Sequence, residues 1–412
     1  MKSFNVCAGW LQDNPIIGRC LIDRARGNEI ISFQYSADWL RSHPSFYLGP
    51  DIQSVTGIQY PNPGHKFGFI SDSSPDRWGE RLLNRRETIQ AKKENRTPRT
   101  LMASDLLLGI DDEGRMGGLR FQDSNGRFLS HDSEYPIPAI TDLRKLQRMI
   151  IEFENNSPGI EKVFEDLCHP GSSLGGARPK TNVYDVDGSL WLAKFPSNKD
   201  TYDVGAFELM THDMASACGI SVPPAQAIYI KGSGTVYLVK RFDRTTGSGR
   251  KHFASAMTML GEYDDSTHKS SYLDIISTVE EHSSSPKNDL LELWKRIAFS
   301  VCVSNSDDHL RNHGFIFNGD HIALAPAYDI NPSVERHQLS LNIDYYSDEI
   351  NLDLVIGVAE YFRIGTDFAR STINEMQNTI KKILATHESK YNISKADFEY
   401  IKPAFNQVFQ VL

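Results

Sequence analysis

The stretch that decides the fold reads Ser304-Asn305-Ser306-Asp307-Asp308-His309-Leu310-Arg311-Asn312, and His313-Gly314 follow it directly. An apolar helical pattern leads into this stretch, and the apolar strand 315–317 leads out of it. Neighbouring carboxylate and amide oxygens are ligands of the kind that magnesium requires. The same residue types favour turns, because their side chains hydrogen-bond the nearby backbone. Taken alone, the stretch slightly favours a polar turn over a magnesium-nucleotide site, so the rest of the chain decides.

Length and composition limit the number of domains and the class of protein. The chain has 412 residues, which predicts two or three domains. Charged residues make up 24% and hydrophobic residues 40% of the chain, as in ordinary globular proteins. The net charge of -9 argues against broad, unaided binding to a nucleic-acid backbone. DNA contact through a partner or a local patch remains open.

The cysteines and the apolar segments predict a cytoplasmic location. The count of cysteines is odd and no two form a C-x-x-C pair, which predicts reduced thiols. The N-terminus shows no signal-peptide pattern, and no apolar run is long enough for a membrane span. The cysteines are Cys7, Cys20, Cys168, Cys218 and Cys302.

Residues 1–125 resemble a small α+β module. Strands are expected over Phe4–Trp10, Arg19–Ile22 and Glu29–Tyr35, and a helix over Asp76–Gln90. A polar stretch over 122–138 is the best candidate for a linker, and Thr141 is expected to cap the helix that follows it.

Six basic residues lie between Arg85 and Arg99. They indicate either a contact patch for a partner or phosphates, or a solvated helix end and loop. Glu87 and Glu94 are interspersed among them, which favours the solvated helix end. The six are Arg85, Arg86, Lys92, Lys93, Arg96 and Arg99.

A Gly-rich loop followed by a lysine-bearing hairpin is the second candidate for chemistry. The loop Gly171–Lys180 precedes a strand over Thr181–Val186, a tight Asp187-Gly188 turn, and a return strand that carries Lys194. Glycines let backbone amides approach phosphates, and a lysine on a rigid strand can reach them. The loop matches neither the Walker A pattern nor G-x-G-x-x-G. Alone, it fits a surface loop equally well.

Two further features extend this order. The helix Val204–Cys218 carries Glu208, which either pairs with Lys194 or is an ordinary surface acid. Two strands then lead into Lys240-Arg241-Phe242-Asp243-Arg244, where backbone groups can meet the polar edge of an adenine. Phe242 packs beside the ring or belongs to the plain core.

A buried helix and a hairpin frame the opening stretch. Leu290, Trp294, Ile297 and Val301 form one apolar stripe that predicts a core helix ending just before it. Asn318-Gly319 predicts a hairpin turn, after which comes Pro326-Ala327-Tyr328-Asp329. This hairpin is expected to hold Asp329 beside Asn312.

The spacing of the acids and the amide matches protein kinases. Asn312 follows Asp307 by five positions, as in the kinase loop H-R-D-x-x-x-x-N. Lys194 lies in Trp191-Leu192-Ala193-Lys194, which is similar to V-A-I-K. The departures are Ser306 in place of the Arg of H-R-D, Asp329-Ile330-Asn331 in place of D-F-G, and no A-P-E. An ordinary eukaryotic-type kinase is therefore not expected.

The motifs together resemble the HipA-type serine/threonine kinases, the toxins of bacterial type II toxin–antitoxin systems. The resemblance is strong over 171–332 and looser over 1–125. It rests on five segments: Ser172-Ser173-Leu174-Gly175-Gly176-Ala177-Arg178-Pro179-Lys180, Val204-Gly205-Ala206-Phe207-Glu208, Lys240-Arg241-Phe242-Asp243-Arg244, Ser306-Asp307-Asp308-His309-Leu310-Arg311-Asn312-His313 and Pro326-Ala327-Tyr328-Asp329.

The resemblance assigns roles to individual residues. It implies ATP and Mg²⁺ as cofactors, Asp307 as the catalytic acid, Asn312 and Asp329 as magnesium ligands, and Ser173, with Ser172 as its rival, as the autophosphorylated serine. Glu208 would pair with the phosphate-contacting lysine. The nucleotide-binding residues would be Gly175, Gly176, Ala177, Arg178, Pro179, Lys180, Lys194, Lys240, Arg241, Phe242, His309, Arg311, Asn312, Tyr328 and Asp329.

The resemblance also implies a fold and partners. The expected fold is α+β: a two-lobed protein-kinase-like fold with a β-rich N-lobe, a helical C-lobe and an extra small N-terminal α+β module. The expected division is 1–125 for that module, 126–250 for the N-lobe and 251–412 for the C-lobe. The implied partners are a protein substrate, with a translation component as one candidate, and a small DNA-binding antitoxin through which DNA is contacted indirectly.

Two alternatives differ in kind. A metal-dependent hydrolase would use Asp307, Asp308, His309 and His313, but their uneven spacing without H-E-x-x-H disfavours it. A catalytically inactive kinase-like module would act by binding an antitoxin or DNA. The presence of Asp307, Asn312 and Asp329 argues against that module. Asp308 receives no role from the sequence.

Overall fold

The structure is a computed structural model that describes residues 2–25, 27–129, 137–157, 176–245 and 249–411. The strands are β1 Lys2–Ala8, β2 Ile16–Ala25, β3 Asn28–Tyr35, β4 Leu119–Gln122, β5 Lys180–Tyr184, β6 Leu190–Lys194, β7 Ala225–Ile230, β8 Gly234–Lys240, β9 Phe253–Ser255, β10 Gly314–Asn318 and β11 His321–Leu324. The helices are α1 Ala37–Ser42, α2 Gly68–Ser73, α3 Arg77–Lys93, α4 Ala103–Gly109, α5 Leu143–Glu154, α6 Val204–Ala217, α7 Ala256–Leu260, α8 Tyr272–His282, α9 Pro286–Cys302, α10 Leu352–Gly357, α11 Thr366–Leu384, α12 His387–Tyr391 and α13 Lys395–Ile401.

The chain divides into two compact units. The first unit contains residues 1–198 and 243–263, and the second contains 199–242 and 264–412. The three-module division expected from the sequence stays a prediction. Within the described ranges, no helix combines the length and the apolar character that a bilayer span requires.

The first unit begins with an antiparallel sheet in the order β3-β2-β1-β4. Alternate residues such as Phe4 and Val6 are buried, as expected for strands with one face on a core. The three predicted N-terminal strands are therefore confirmed, although β1 ends at Ala8 rather than Trp10. A second antiparallel pair, β5–β6, turns at Asp187-Gly188, and Gly188 has the positive φ of 76° that the turn requires.

Helix α3 follows the predicted segment closely. The Asp76 side chain caps it by accepting a hydrogen bond from the backbone N–H of Gly79 at 2.8 Å. The expectation that Thr141 caps α5 was wrong. A short 3₁₀ turn over Ile140–Asp142 precedes the helix, so Thr141 lies within that turn.

The basic run after α3 contains its own counter-charge. Glu87 is buried and accepts hydrogen bonds from the guanidinium groups of Arg96 and Arg99. The hydrogen bond from Arg96, followed by that from the Arg99 backbone, lowers the pKa of Glu87 to about 2. At this end, the run therefore acts as a structural ion-pair cluster.

In the second unit, α9 forms the centre of the core. Leu290, Trp294, Ile297 and Val301 are fully buried, which confirms the predicted stripe. The indole N–H of Trp294 donates to the carbonyl of Val355 at 3.0 Å, so its one polar group is satisfied. The helix ends directly before the opening stretch, and the β10–β11 hairpin turns at Asn318-Gly319 as predicted.

Helix α6 packs tightly against β8 through a glycine. A Cβ at Gly205 would lie 2.1 Å from the carbonyl oxygen of Thr235. Asp203 fixes the same contact, because it caps α6 at Ala206 and also accepts a hydrogen bond from the Thr235 hydroxyl at 2.7 Å. This packing sets the position of Glu208, one turn further along α6.

Candidate active site

A sharp turn carries the chain out of α9. Ser304 has a φ of 50°, a left-handed conformation that is uncommon for a residue other than glycine. The N–H of Asn305 donates to the Ser300 carbonyl at 2.8 Å, and the Asn305 side chain accepts from the N–H of Asn331 at 3.2 Å. The Ser304 carbonyl accepts from the N–H of Ser333 at 3.1 Å. These bonds tie the loop to the segment that follows Asp329.

Asp307 and Asn312 are linked across the five-residue interval. The side-chain amide of Asn312 donates through Nδ2 to the backbone carbonyl of Asp307 at 3.0 Å. This bond turns Oδ1 of Asn312 the other way, and that oxygen is buried with no hydrogen-bond donor among the described residues. A buried amide oxygen without a partner is unusual in a folded protein and suits a cation ligand.

The carboxylate of Asp307 is accessible. Its side chain is 73% exposed, and its Oδ1 lies 3.2 Å from Nη1 of Arg336, which is itself largely exposed. The loop therefore presents a reachable carboxylate beside a buried amide oxygen. Arg336 was missed by the sequence reasoning, because a lone exposed arginine 29 positions away carries no local signal.

Asp308 has the opposite environment. It is buried and accepts hydrogen bonds from the Tyr272 hydroxyl at 2.7 Å and the Ser300 hydroxyl at 3.0 Å. Nε2 of His313 lies 3.0 Å from its Oδ1. Burial alone would raise the pKa of Asp308, but the neighbouring His313 and the hydrogen bonds from Tyr272 and Ser300 outweigh it and hold the pKa below its usual value. Asp308 is therefore the internal anchor of the loop.

Asp329 lies at the end of the segment after β11. It has a φ of 58°, and its Oδ1 is 3.4 Å from the side-chain amide of Asn331. Burial raises the pKa of Tyr237 well above its usual value, and the charges of Glu208 and Asp329 raise it further. Both carboxylates therefore lie within electrostatic reach of one phenol on β8.

Phe242 and Tyr328 connect the end of β8 to the loop. Their rings stack with centroids 5.5 Å apart, and the Tyr328 hydroxyl donates to the Arg311 carbonyl at 2.7 Å. The Arg311 guanidinium in turn pairs in a bidentate manner with Asp264. Nδ1 of His309 is buried without a hydrogen-bond partner in the described ranges. The second unit thus brings several predicted nucleotide residues together.

Two predicted phosphate-binding lysines of the first unit lie on neighbouring strands. Lys180 and Lys194 are directly opposite in the β5–β6 pair. The buried ammonium group of Lys180 lies 3.1 Å from Asp76 Oδ2 and 3.5 Å from the Gly176 carbonyl. Ser172, Ser173 and Gly175 fall outside the described residues.

Several nucleotide assignments stay predictions. Gly176, Ala177, Arg178 and Pro179 are described, but no contact settles their role. Lys240 is half-buried and Arg241 is buried at the end of β8. Lys194 and Glu208 belong to different units, so their pairing also stays a prediction.

The last two residues of the Lys240–Arg244 segment have a structural role in the first unit. Asp243 is fully buried and accepts a hydrogen bond from the N–H of Gly117 at 2.6 Å. Arg244 donates to the Glu113 carbonyl at 2.9 Å and the Gly117 carbonyl at 3.1 Å. These bonds hold the Gly114–Gly118 turn that precedes β4.

The donor set fits magnesium better than a transition metal. No group of three or more His, Cys, Asp or Glu side chains in the described residues is arranged to hold a metal. The predicted ligands Asn312 and Asp329 would supply one amide and one carboxylate oxygen, a sparse set of the kind that Mg²⁺ completes with water and phosphate oxygens. His313, which the hydrolase alternative needs as a ligand, instead faces Asp308.

Comparison with known proteins places the chain in a family. Residues 172–389, more than half of the chain, match the family described as "HipA-like C-terminal domain". Two relatives come from Sinorhizobium fredii. The protein named "Putative kinase Y4dM" is 29% identical over 35% of this chain and 37% of its own length. The protein named "Putative kinase Y4mE" is 25% identical over 41% of this chain and 44% of its own length. The chain thus matches less than half the length of these relatives.

A solved structure covers nearly the whole chain. It is a chain of the toxin–antitoxin complex of HipA, HipB and operator DNA from Shewanella oneidensis, matched with a TM-score of 0.70 and 16% identity. The match covers 98% of this chain and 95% of that one, so the two share their α+β fold and the predicted fold class is confirmed. With the family match, the chain belongs to the HipA-like family that its motifs resemble.

Proposed function

We propose that the chain is an ATP-dependent serine/threonine protein kinase. The observation that carries the proposal is the loop closed by the Asp307–Asn312 bond: its Asp307 carboxylate is exposed, and its Asn312 Oδ1 is buried with no donor in the described part of the chain. A polar turn needs neither feature. A phosphoryl-transfer site needs both, because one group must accept the hydroxyl proton and another must hold the cation.

Only a few groups take part in the proposed phosphoryl transfer. The hydroxyl oxygen of a serine or threonine forms a bond to the γ-phosphorus of ATP, and the bond from that phosphorus to the β–γ bridging oxygen breaks. Asp307 accepts the hydroxyl proton on its carboxylate, and ADP leaves. Asp308 keeps Asp307 in position by anchoring the loop, so positioning supplies much of the rate.

The remaining residues bind the nucleotide. Lys194 and the loop residues Gly175 to Lys180 would contact the phosphates, with Glu208 pairing with Lys194. Lys240, Arg241 and Phe242 would receive the adenine, a role supported by the stacking of Phe242 on Tyr328. His309 and Arg311 would lie near the phosphates. Asn312 and Asp329 would hold magnesium, which when bound neutralises charge on the phosphates.

The partners follow from family membership and remain part of the proposal. The solved relative is a complex with HipB and operator DNA, which supports a small DNA-binding antitoxin as partner of this chain. DNA would then be contacted through the antitoxin, in keeping with the net charge of -9. We also propose a cytoplasmic location, a protein substrate such as a translation component, and autophosphorylation at Ser173 or Ser172.

The test is phosphosite mapping. The purified chain is incubated with Mg-ATP and its phosphosites are mapped by mass spectrometry, alongside Asp307→Gln and the matched control Asp320→Asn. Asp320 is an exposed acid in the β10–β11 turn and has no proposed role. Phosphoserine should appear in wild type and the control and fall by about 10²-fold or more in Asp307→Gln.

The outcomes separate the alternatives. Wild-type protein without any phosphoserine would contradict the kinase and favour the inactive binding module. Undiminished phosphorylation in Asp307→Gln would show that another residue accepts the proton. Hydrolysis of phosphoesters with a transition metal and no ATP would favour the hydrolase.

A further inference from the structure

A cleft on the first unit carries two arginines that the proposed kinase site does not use. Its volume is about 320 Å³, and it lies between the exposed face of α3 and the end of α5. Arg81, Asn84, Arg85 and Thr88 line it from α3, and Phe153 forms its apolar wall. This volume is at the lower end of the range for small-ligand sites.

The two guanidinium groups are held but not neutralised. Arg81 and Arg85 are one helical turn apart, so their side chains lie on the same face. The Arg81 guanidinium sits 5.3 Å from the centre of the Trp78 ring and 5.7 Å from that of Phe153. Nε of Arg85 is buried without a hydrogen-bond partner, and neither arginine pairs with a carboxylate among the described residues.

The acid that lines the cleft is already occupied. One oxygen of Glu154 accepts from the Ser197 hydroxyl at 2.6 Å, and the other accepts from the N–H of Asn198 at 2.9 Å. At the other end of the same basic run, by contrast, Arg96 and Arg99 form ion pairs with the carboxylate of Glu87. The cleft therefore sets two arginines against one carboxylate, whose oxygens already accept hydrogen bonds from elsewhere, and keeps a net positive charge.

The neighbouring polar groups add a donor. Asn84 gives one amide hydrogen to the Glu80 carbonyl at 2.9 Å, and an amide has two. Two planar guanidinium groups and an amide N–H match a dianion with several oxygens. The apolar wall of Phe153 suits the stem that carries it.

We propose that this cleft binds a phosphate monoester. Its source is either a small phosphorylated metabolite or a phosphoserine side chain of a protein. Arg85 makes the central contact and Arg81 the second. The inference does not rest on the kinase activity, since none of these residues belongs to the proposed active site.

The experiment titrates the full chain with inorganic phosphate, with O-phosphoserine and with a phosphoserine peptide at constant ionic strength. Binding is followed by the Nε–Hε resonances of the arginine side chains. The nucleotide site is kept saturated with a non-hydrolysable ATP analogue and Mg²⁺, so that binding there does not contribute. Arg85→Gln is compared with Arg86→Gln, which removes the same charge from an exposed neighbour that does not line the cleft.

We expect saturable binding in wild type and Arg86→Gln, weakened about tenfold or more in Arg85→Gln. Unfolding midpoints of all three proteins confirm that they are folded. Tighter binding of O-phosphoserine than of the peptide identifies the source as a small ester, and tighter binding of the peptide identifies it as a phosphoprotein. Tightest binding of inorganic phosphate would overturn the monoester. Non-saturable shifts in wild type, or equal weakening in both variants, would overturn the proposal.

Discussion

The buried position of Asp308 predicts that a substitution there lowers the stability of the protein without removing a group that takes part in the proposed chemistry. The change is Asp308→Ala, which removes the carboxylate that receives Tyr272, Ser300 and His313 inside the second unit. The partners stay buried, and their polar atoms lose the acceptor. The protein should therefore lose stability even though Asp308 touches no proposed substrate.

The magnitude follows from the burial. Removing one partner of a buried, hydrogen-bonded charge pair costs about 3–5 kcal/mol. In a unit of this size each kcal/mol lowers the melting temperature by about 2–4 °C, so the expected decrease is at least about 6 °C. Asp308→Asn keeps the shape of the side chain and one acceptor oxygen. Its melting temperature should therefore lie between those of wild type and Asp308→Ala.

The assay is thermal unfolding with two controls. Asp307→Asn changes the exposed neighbour and should alter the free energy of unfolding by no more than about 0.5 kcal/mol. Its kinase activity should be lost, whereas Asp308→Asn should retain some activity below its melting temperature. The depressed pKa of Asp308 adds a pH dependence. Its contribution is present above the ordinary value of 3.8 and is lost as the pH falls through the lower folded value.

A melting temperature of Asp308→Ala within about 2 °C of wild type would refute the anchoring role of Asp308, because removing a buried carboxylate with these partners should cost more stability than that. Equal destabilisation by Asp307→Asn would refute the division of roles between the two acids.

The other predictions concern the supports of the site and the basic run. Gly205→Ala should destabilise the second unit by about 1–3 kcal/mol, since its Cβ would lie 2.1 Å from the Thr235 carbonyl, and a denaturant midpoint equal to wild type would contradict it. Glu87→Gln should be less stable than wild type at neutral pH, because the folded pKa of about 2 lies below the ordinary 4.5 and the contribution of the carboxylate is present above that value. The gap in urea midpoint should narrow as the pH falls below about 4.5, and a gap independent of pH would argue against the Arg96 and Arg99 contacts.

The local elements were predictable from the sequence because their signals are local. The Asp187-Gly188 and Asn318-Gly319 turns have the residues that positive φ demands, and both hairpins form where expected. The apolar stripe of α9 is fully buried, as predicted. The Thr141 cap failed because the chain enters α5 through a 3₁₀ turn, a local detail that packing decides.

The candidate site was likewise predictable from the sequence only in part. The interval from Asp307 to Asn312 identified the loop, since a short loop can bring only certain positions together. The same interval predicted Asp307 rather than Asp308 as the working acid, because only Asp307 lies five positions before Asn312, and it gave Asp308 no role. The anchoring role of Asp308 came from burial, as Asp308 meets Tyr272 and Ser300 while Asp307 faces solvent. Arg336 reaches Asp307 across 29 positions and has no counterpart in the local pattern.

The sequence by itself thus determined the order of the kinase-like motifs, the strands and helices that carry them, and the family. Only the tertiary structure decided which acid is an anchor, which arginines are neutralised and why Gly205 must be a glycine. The physical reason is that turn and helix signals depend on neighbours in the chain, whereas desolvation and ion pairing depend on residues that folding brings together.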